Sequence, residues 1–189
     1  MDRMEDDYQK DRLIEAMKSI VLTGAECTGK STLAQALSCH YGEPLTTEFV
    51  RSYVDQLDRE LIQADLEGIF CGQIAAEDAG WAKSKRFVIH DTNLLSSIIY
   101  AKHYFETTFD WVNEAFLKRN YTLYLLCSPD GIRWEDDPGQ RDSPSAREEL
   151  HSMFKESLEK LKLPYLELNG DETLRLCKAI MAIDEVLTQ

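Results

Sequence analysis

An α/β fold, a five-stranded parallel sheet with helices on both faces, is predicted by three features of the 189-residue sequence. Short β-prone apolar runs recur at residues 19–23, 44–47, 86–90, 121–127 and 164–168. Between them lie segments with the i, i+3, i+4 spacing of amphipathic helices, and strands alternating with helices build parallel sheets with right-handed crossovers. The first run leads directly into Gly24-Ala25-Glu26-Cys27-Thr28-Gly29-Lys30-Ser31, which fits G-x-x-x-x-G-K-[ST] between a strand and a helix. That context predicts a phosphate-binding loop, and with it the P-loop NTPase fold.

Taken in order, the first strand ends where the glycines let the backbone curl. The N–H groups from Gly24, Ala25, Glu26, Cys27, Thr28 and Gly29 on to Lys30, Ser31 and Thr32 then point at phosphate oxygens. Lys30 adds a point charge at the β- and γ-phosphates, and the Ser31 hydroxyl is a Mg²⁺ ligand. The next helix, residues 32–41, turns the positive end of its dipole to the same anion. Leu33, Ala36, Leu37 and His40 share one face of it, and Gly42 is its C-cap.

After the second strand comes Glu48-Phe49-Val50-Arg51-Ser52-Tyr53. Glu48 there is either a binder or base for an acceptor hydroxyl facing the γ-phosphate, or a solvated loop charge. Leu61, Leu66, Ile69, Phe70 and Ile74 mark a long helix before the third strand. Asp91 follows that strand and emerges beside the phosphate loop, where it holds a Mg²⁺-bound water or takes a proton; capping the helix 94–104 is the alternative, and Thr92 is an equal cap.

A polar insertion, residues 131–145, follows the fourth strand and has the chemistry of a lid. It carries Trp134, a flat face for stacking or a cation–π contact, and Arg141, placed to stabilise charge on a transferred phosphoryl group. Packing of the tryptophan and pairing of the arginine with neighbouring acids are the plainer readings. Leu150, Met153, Phe154, Leu158 and Leu161 mark the helix beyond, entered through Ser143-Pro144 or a Ser145-x-x-Glu148 capping box. Asn169-Gly170-Asp171 after the fifth strand is an adenine contact or a simple turn.

Residues 1–18 form a charged segment with Leu13, Ile14 and Met17 at helical spacing, and residues 19–189 form one P-loop domain. A net charge of −13 with no basic run argues against nucleic acid and anionic lipid as partners. No apolar stretch approaches the ~20 residues of a membrane span. The acidic N-terminus is not a signal peptide, and five scattered cysteines read as reduced thiols, so a cytoplasmic location is expected. The four histidines lack ligand spacing, G-x-S-x-G is absent, and so is the guanine-reading N-K-x-D. Asp91 is followed by Thr92 rather than by the glutamate that activates water in many ATPases.

At these residues the chain resembles the nicotinamide riboside kinase domain of NadR-type proteins. The matching pieces are the phosphate loop with Lys30-Ser31-Thr32-Leu33, the segment from Glu48 to Tyr53, Asp91-Thr92-Asn93-Leu94-Leu95 and Tyr124-Leu125-Leu126. They continue with Trp134-Glu135-Asp136-Asp137, Arg141-Asp142-Ser143 and Arg147-Glu148-Glu149. The lid is longer than the family's compact form, and the H-x-G-H signature of the adenylyltransferase domain in larger members is absent from this sequence.

The resemblance implies transfer of the ATP γ-phosphoryl to the 5′-hydroxyl of nicotinamide riboside, with ATP and Mg²⁺ as cofactors. Lys30, Glu48, Asp91 and Arg141 are then the catalytic set, and Ser31 and Asp91 the metal ligands. Glu48, Arg51, Tyr53, Asn93, Trp134 and Asp136 are the acceptor-binding set. Another nucleoside or sugar alcohol as acceptor, or an ATPase switch with no acceptor, stays open at this point.

Overall fold

The computed structural model describes residues 18–135 and 143–188. Its sheet has five parallel strands: β1 (Lys18–Thr23), β2 (Leu45–Thr46), β3 (Phe87–Asp91), β4 (Leu123–Cys127) and β5 (Tyr165–Leu168). Their spatial order is β2-β3-β1-β4-β5, so β1 lies between β3 and β4. In register, Leu22 stands opposite both Asp91 and Leu125. The chain therefore leaves β1 at the point where connections diverge to the two halves of the sheet, which is where such folds bind ligands.

Alternation along β1 explains the two cores. Ile20 and Leu22 face α1 (Lys30–Tyr41) and α7 (Glu172–Thr188), packing with Leu33, Leu37, Ile89, Leu125 and Ile183. Val21 faces the other side, with Phe70, Leu94, Leu126, Leu150 and Phe154. That side is covered by α3 (Leu66–Lys83), α4 (Leu94–Phe105), α5 (Asp110–Leu117) and α6 (Pro144–Lys160). Period-two strands buried on both faces are what a parallel sheet demands.

The helix boundaries answer the open readings. α1 ends at Gly42, whose N–H donates to the Ser38 carbonyl at 2.9 Å. The Ser143 hydroxyl accepts from the Ala146 N–H at 3.1 Å with Pro144 in the first turn, so α6 uses the first of the two predicted entries and Ser145 lies inside the helix. Leu61 precedes the helix it was expected to join, because a 3₁₀ turn, Gln63–Asp65, comes first and α3 begins at Leu66. Asp65 accepts the Ile62 N–H at 2.9 Å and fixes that turn.

Residues 49–54, to which the sequence reading assigned no element, form the short helix α2 (Phe49–Val54). Gly72 on α3 makes room for it: a Cβ there would overlap the Phe49 ring. The close approach carries Glu48, at the N-terminal end of α2, toward the phosphate loop. Among the described residues no helix is long and apolar enough to cross a membrane.

Candidate active site

The phosphate loop departs from β1 through Gly24, with φ +127°. A Cβ at this position would lie 2.8 Å from the Cys127 carbonyl oxygen on β4, so glycine alone lets the loop turn against the paired strand. Inside the loop the Ala25 carbonyl accepts both the Lys30 ammonium at 2.6 Å and the Thr28 hydroxyl at 2.8 Å. Lys30 is only 8% exposed and is held at the centre of the loop.

Arg175 of α7 supports the loop from behind. Its guanidinium donates to the carbonyls of Thr28 (3.0 Å), Ser128 (2.9 Å), Asp130 (2.7 Å) and Gly170 (2.7 Å). One buried cation thus ties the loop to the end of β4 and to the turn after β5. Strand ends leave carbonyls without ladder partners, and Arg175 satisfies them.

Three predicted groups meet across the loop. Asp91 ends β3 in register with Leu22, is 5% exposed, and has its Oδ1 buried without a hydrogen-bond partner among the described residues. Burial pushes the Glu48 carboxyl above its usual range; the nearby Lys30 charge opposes that shift, Asp91 reinforces it and Arg51 opposes it. The Glu48–Arg51 pair is 3.7 Å apart, with Arg51 largely exposed. Lys30, Glu48 and Asp91 therefore form one electrostatic neighbourhood.

The capping alternative for Asp91 and Thr92 is not what the helix uses. The N-cap position of α4 is Asn93, and the Leu94 N–H donates at 2.9 Å to Glu77 Oε1 from α3. Thr92, with φ +64°, sends its own N–H to the Leu22 carbonyl at 3.0 Å and extends the β1–β3 ladder. Asn93 corrects an expectation: it is fully buried and donates to the Tyr124 hydroxyl at 2.9 Å, inside the core rather than toward an acceptor. Tyr53 also turns elsewhere, donating at 3.2 Å to Asp65, which takes Arg59 at 2.7 and 2.8 Å.

A cavity of about 810 Å³ opens on one side of the loop, walled by the loop, α2, the segment 57–61, α3 and α4. Glu26, Lys30, Ser31, Glu48 and Arg51 line it, and Tyr100 and Tyr104 form part of the far wall. The two tyrosine rings stack with centroids 6.0 Å apart and planes within 6°. A recess of about 180 Å³ lies on the other side, bounded by Thr28, Thr32, Leu33, Ile132, Glu172 and Arg175. Among the described residues no group of His, Cys, Asp and Glu converges into a protein-only metal site.

The stem of the insertion is fastened to the phosphate loop through Cys27. Its thiol donates to the Arg133 carbonyl at 3.4 Å and accepts the Glu135 N–H at 3.3 Å. Arg147, at the start of α6, donates to the Cys27 and Ile132 carbonyls at 3.3 and 3.2 Å, with its guanidinium 5.5 Å from the Trp134 ring centre. Trp134 thus makes a cation–π contact with a protein cation. Asp136 and Arg141 lie outside the described residues, as do the centre of the lid and nearly all of the N-terminal charged segment.

Sequence reasoning passed over Glu77, Tyr100 and Arg175, and gave Arg147 no role beyond its place in the family match. Glu77 is fully buried and binds Gln73 (3.1 Å), Tyr121 (2.7 Å) and Arg119 (3.4 Å) as well as Leu94. Its signal was an acid on the apolar stripe Phe70, Ile74, Glu77, Trp81. Arg175 gave no such signal, because carbonyl partners leave no pattern in side chains.

A family model described as an AAA domain (AAA_28) matches residues 19–175. Among solved structures, a NadR protein in complex with NR is 23% identical at a TM-score of 0.79, covering 94% of this chain and 53% of that one. A NadR protein in complex with NAD and AMP-PNP is 18% identical at a TM-score of 0.78, covering 100% and 59%. A deoxyadenosine kinase from M. mycoides with bound dATP is 15% identical at a TM-score of 0.61, covering 88% and 99%. The chain spans a little over half the length of the NadR chains it matches. These likenesses establish a shared P-loop α/β fold.

Proposed function

The chain belongs to the AAA_28 family of AAA domains, and within it we propose that it is an ATP-dependent kinase of a nucleoside-like alcohol, with nicotinamide riboside as the acceptor. The observation that carries this reading is the placement of Glu48 and Lys30 in the wall of one 810 Å³ cavity. A carboxylate beside the phosphate-loop lysine, with room for a nucleoside, is an arrangement for moving a phosphoryl group onto a hydroxyl. The lack of a water-activating glutamate after Asp91 agrees with an alcohol, rather than water, as the acceptor.

The residues present fit a Mg²⁺–triphosphate. Asp91 keeps a buried oxygen next to the loop that has no hydrogen-bond partner among the described residues. Ser31 and Asp91 would hold Mg²⁺, which neutralises phosphate charge when bound. The loop N–H groups and Lys30 would grip the β- and γ-phosphates. The small recess between α1 and α7 suits the adenine ring.

In the transfer, the acceptor oxygen forms a bond to the γ-phosphorus as the bond from that phosphorus to the β,γ-bridging oxygen breaks. ADP leaves with the bridging electrons, and the hydroxyl proton passes to the Glu48 carboxylate. A carboxyl raised by burial is a better proton acceptor than an exposed one. The stacked Tyr100 and Tyr104 and the acids Glu26, Glu48 and Asp58 in the same wall favour a flat, positively charged base. Closing of the Trp134–Arg141 lid would exclude water from the γ-phosphate.

The test is direct. Purified protein with ATP, Mg²⁺ and nicotinamide riboside is expected to form nicotinamide mononucleotide and ADP in equal amounts, and Lys30→Ala to lose about a hundredfold or more of that rate. Absence of a phosphorylated product from the riboside rejects this acceptor.

A further inference from the structure

Glu26 occupies the third position of the phosphate loop, where a negative charge is poorly placed for holding an anion. Its side chain lines the large acceptor cavity and not the small recess across the loop. One carboxylate oxygen, Oε2, accepts the Tyr100 hydroxyl from α4 at 3.2 Å. The other, Oε1, is buried and has no hydrogen-bond donor among the described residues. A buried carboxylate oxygen left without a donor is costly, and such a group calls for a water, an ion or a ligand that supplies one.

The cavity narrows what that donor is. Burial and the Glu26 and Glu48 charges hold the Tyr100 phenol well above its usual range, so it stays protonated and its bond to Oε2 is fixed in direction. Oε1 alone is then left for the ligand. Glu48 faces the reacting hydroxyl, and Tyr100 feels both carboxylates, so Glu26 stands beside the body of the same acceptor. An acceptor rich in hydroxyls meets this need, whereas a phosphate oxygen would be repelled.

We propose that Glu26 is the residue that reads the sugar hydroxyls of the acceptor, Oε1 taking a hydrogen bond from the ribose 2′,3′-diol and so separating ribosides from 2′-deoxyribosides. The assignment rests on the kinase reading above and deepens it. Tyr100 acts as a positioning residue, holding the carboxylate in one rotamer.

The experiment compares nicotinamide riboside with its 2′-deoxy counterpart in wild type, Glu26→Gln and Tyr100→Phe. Wild type is expected to favour the riboside by about 10–100-fold in kcat/KM, the range a lost hydrogen bond to a charged group gives. Glu26→Gln should bring that ratio toward one, mainly through KM, and Tyr100→Phe should reduce it less. Calorimetry with a non-hydrolysable ATP analogue should find nucleotide affinity in Glu26→Gln held or raised, since a negative charge has left the loop.

An unchanged riboside preference in Glu26→Gln overturns the proposal, and so does loss of nucleotide affinity equal to the loss of turnover, which would mark Glu26 as a part of the loop's structure. If wild type phosphorylates neither compound, the kinase reading fails, and calorimetry of the riboside in the presence of the ATP analogue decides the matter. Binding that Glu26→Gln loses retains the role of Glu26; no riboside binding to wild type removes it.

Discussion

The guanidinium of Arg175, on the last helix, donates to the carbonyl of Thr28 in the phosphate loop at 3.0 Å, across 147 residues of sequence. The same side chain is 3% exposed and serves three further carbonyls, so its removal strands several buried acceptors at once. Arg175→Met is expected to destabilise the fold by about 3 kcal/mol and to weaken nucleotide binding about tenfold. Thermal melts with and without an ATP analogue check it, and a variant that melts at the wild-type temperature would refute the support role.

Gly24 offers a second check, because its demand is steric. Gly24→Ala brings a Cβ to 2.8 Å from the Cys127 carbonyl at φ +127°. The strain, about 1–3 kcal/mol, must displace either the loop or the end of β4. Loss of most ATP-analogue affinity in a folded protein is the expected outcome, measured by calorimetry.

As the proposed base, Glu48 ties pH to rate. Its carboxyl is raised by burial, so on acidification it takes up its proton earlier than an ordinary glutamate and ceases to be a base. The acid limb of the kcat/KM profile is therefore expected at a pH above the usual carboxylate range. Glu48→Gln should remove that limb and cut kcat by about 10²–10⁴. A limb that survives the substitution would assign it to another group, with Asp91 the first to test.

His90 ties pH to stability. It is fully buried on β3 with both ring nitrogens unpartnered, between Trp81 and Tyr121. Burial, helped by the Arg119 charge, holds it down from 6.5 to about 3. The unfolded chain takes the proton first, so this stability is complete above 6.5 and declines as pH falls toward 3. Between pH 7 and pH 5 the loss is on the order of 2 kcal/mol. Urea denaturation of wild type and His90→Leu at the two pH values should show a smaller drop in the variant.

What could be read from the residues was governed by how local the cause is. The five strands were legible because short β-prone apolar runs need no partner to be recognised, although β2, β4 and β5 prove shorter than their apolar runs. The phosphate loop was legible because its chemistry lies in eight consecutive residues. The grouping of Lys30, Glu48 and Asp91 followed from the rule that ligands meet strand ends, and the register of β1 with β3 explains it. The helix α2 was not legible, since it depends on a glycine gap in α3 that no local pattern announces. Asn93 misled because its neighbours Asp91 and Thr92 face the site, while a φ of −151° turns its own side chain to Tyr124.

The two flanks of the phosphate loop are drawn from different parts of the chain. Apart from the loop itself, the described residues that bound the large cavity all fall within residues 48–105, one uninterrupted stretch between β2 and the end of α4. The small recess is assembled from both ends of the domain, residues 28–36 and 172–176 with Ile132. On the proposed kinase reading the two selectivities are separable: a transplant of residues 48–105 that keeps Asp91 would import a new phosphate recipient while the phosphate loop's grip on the donor stays native.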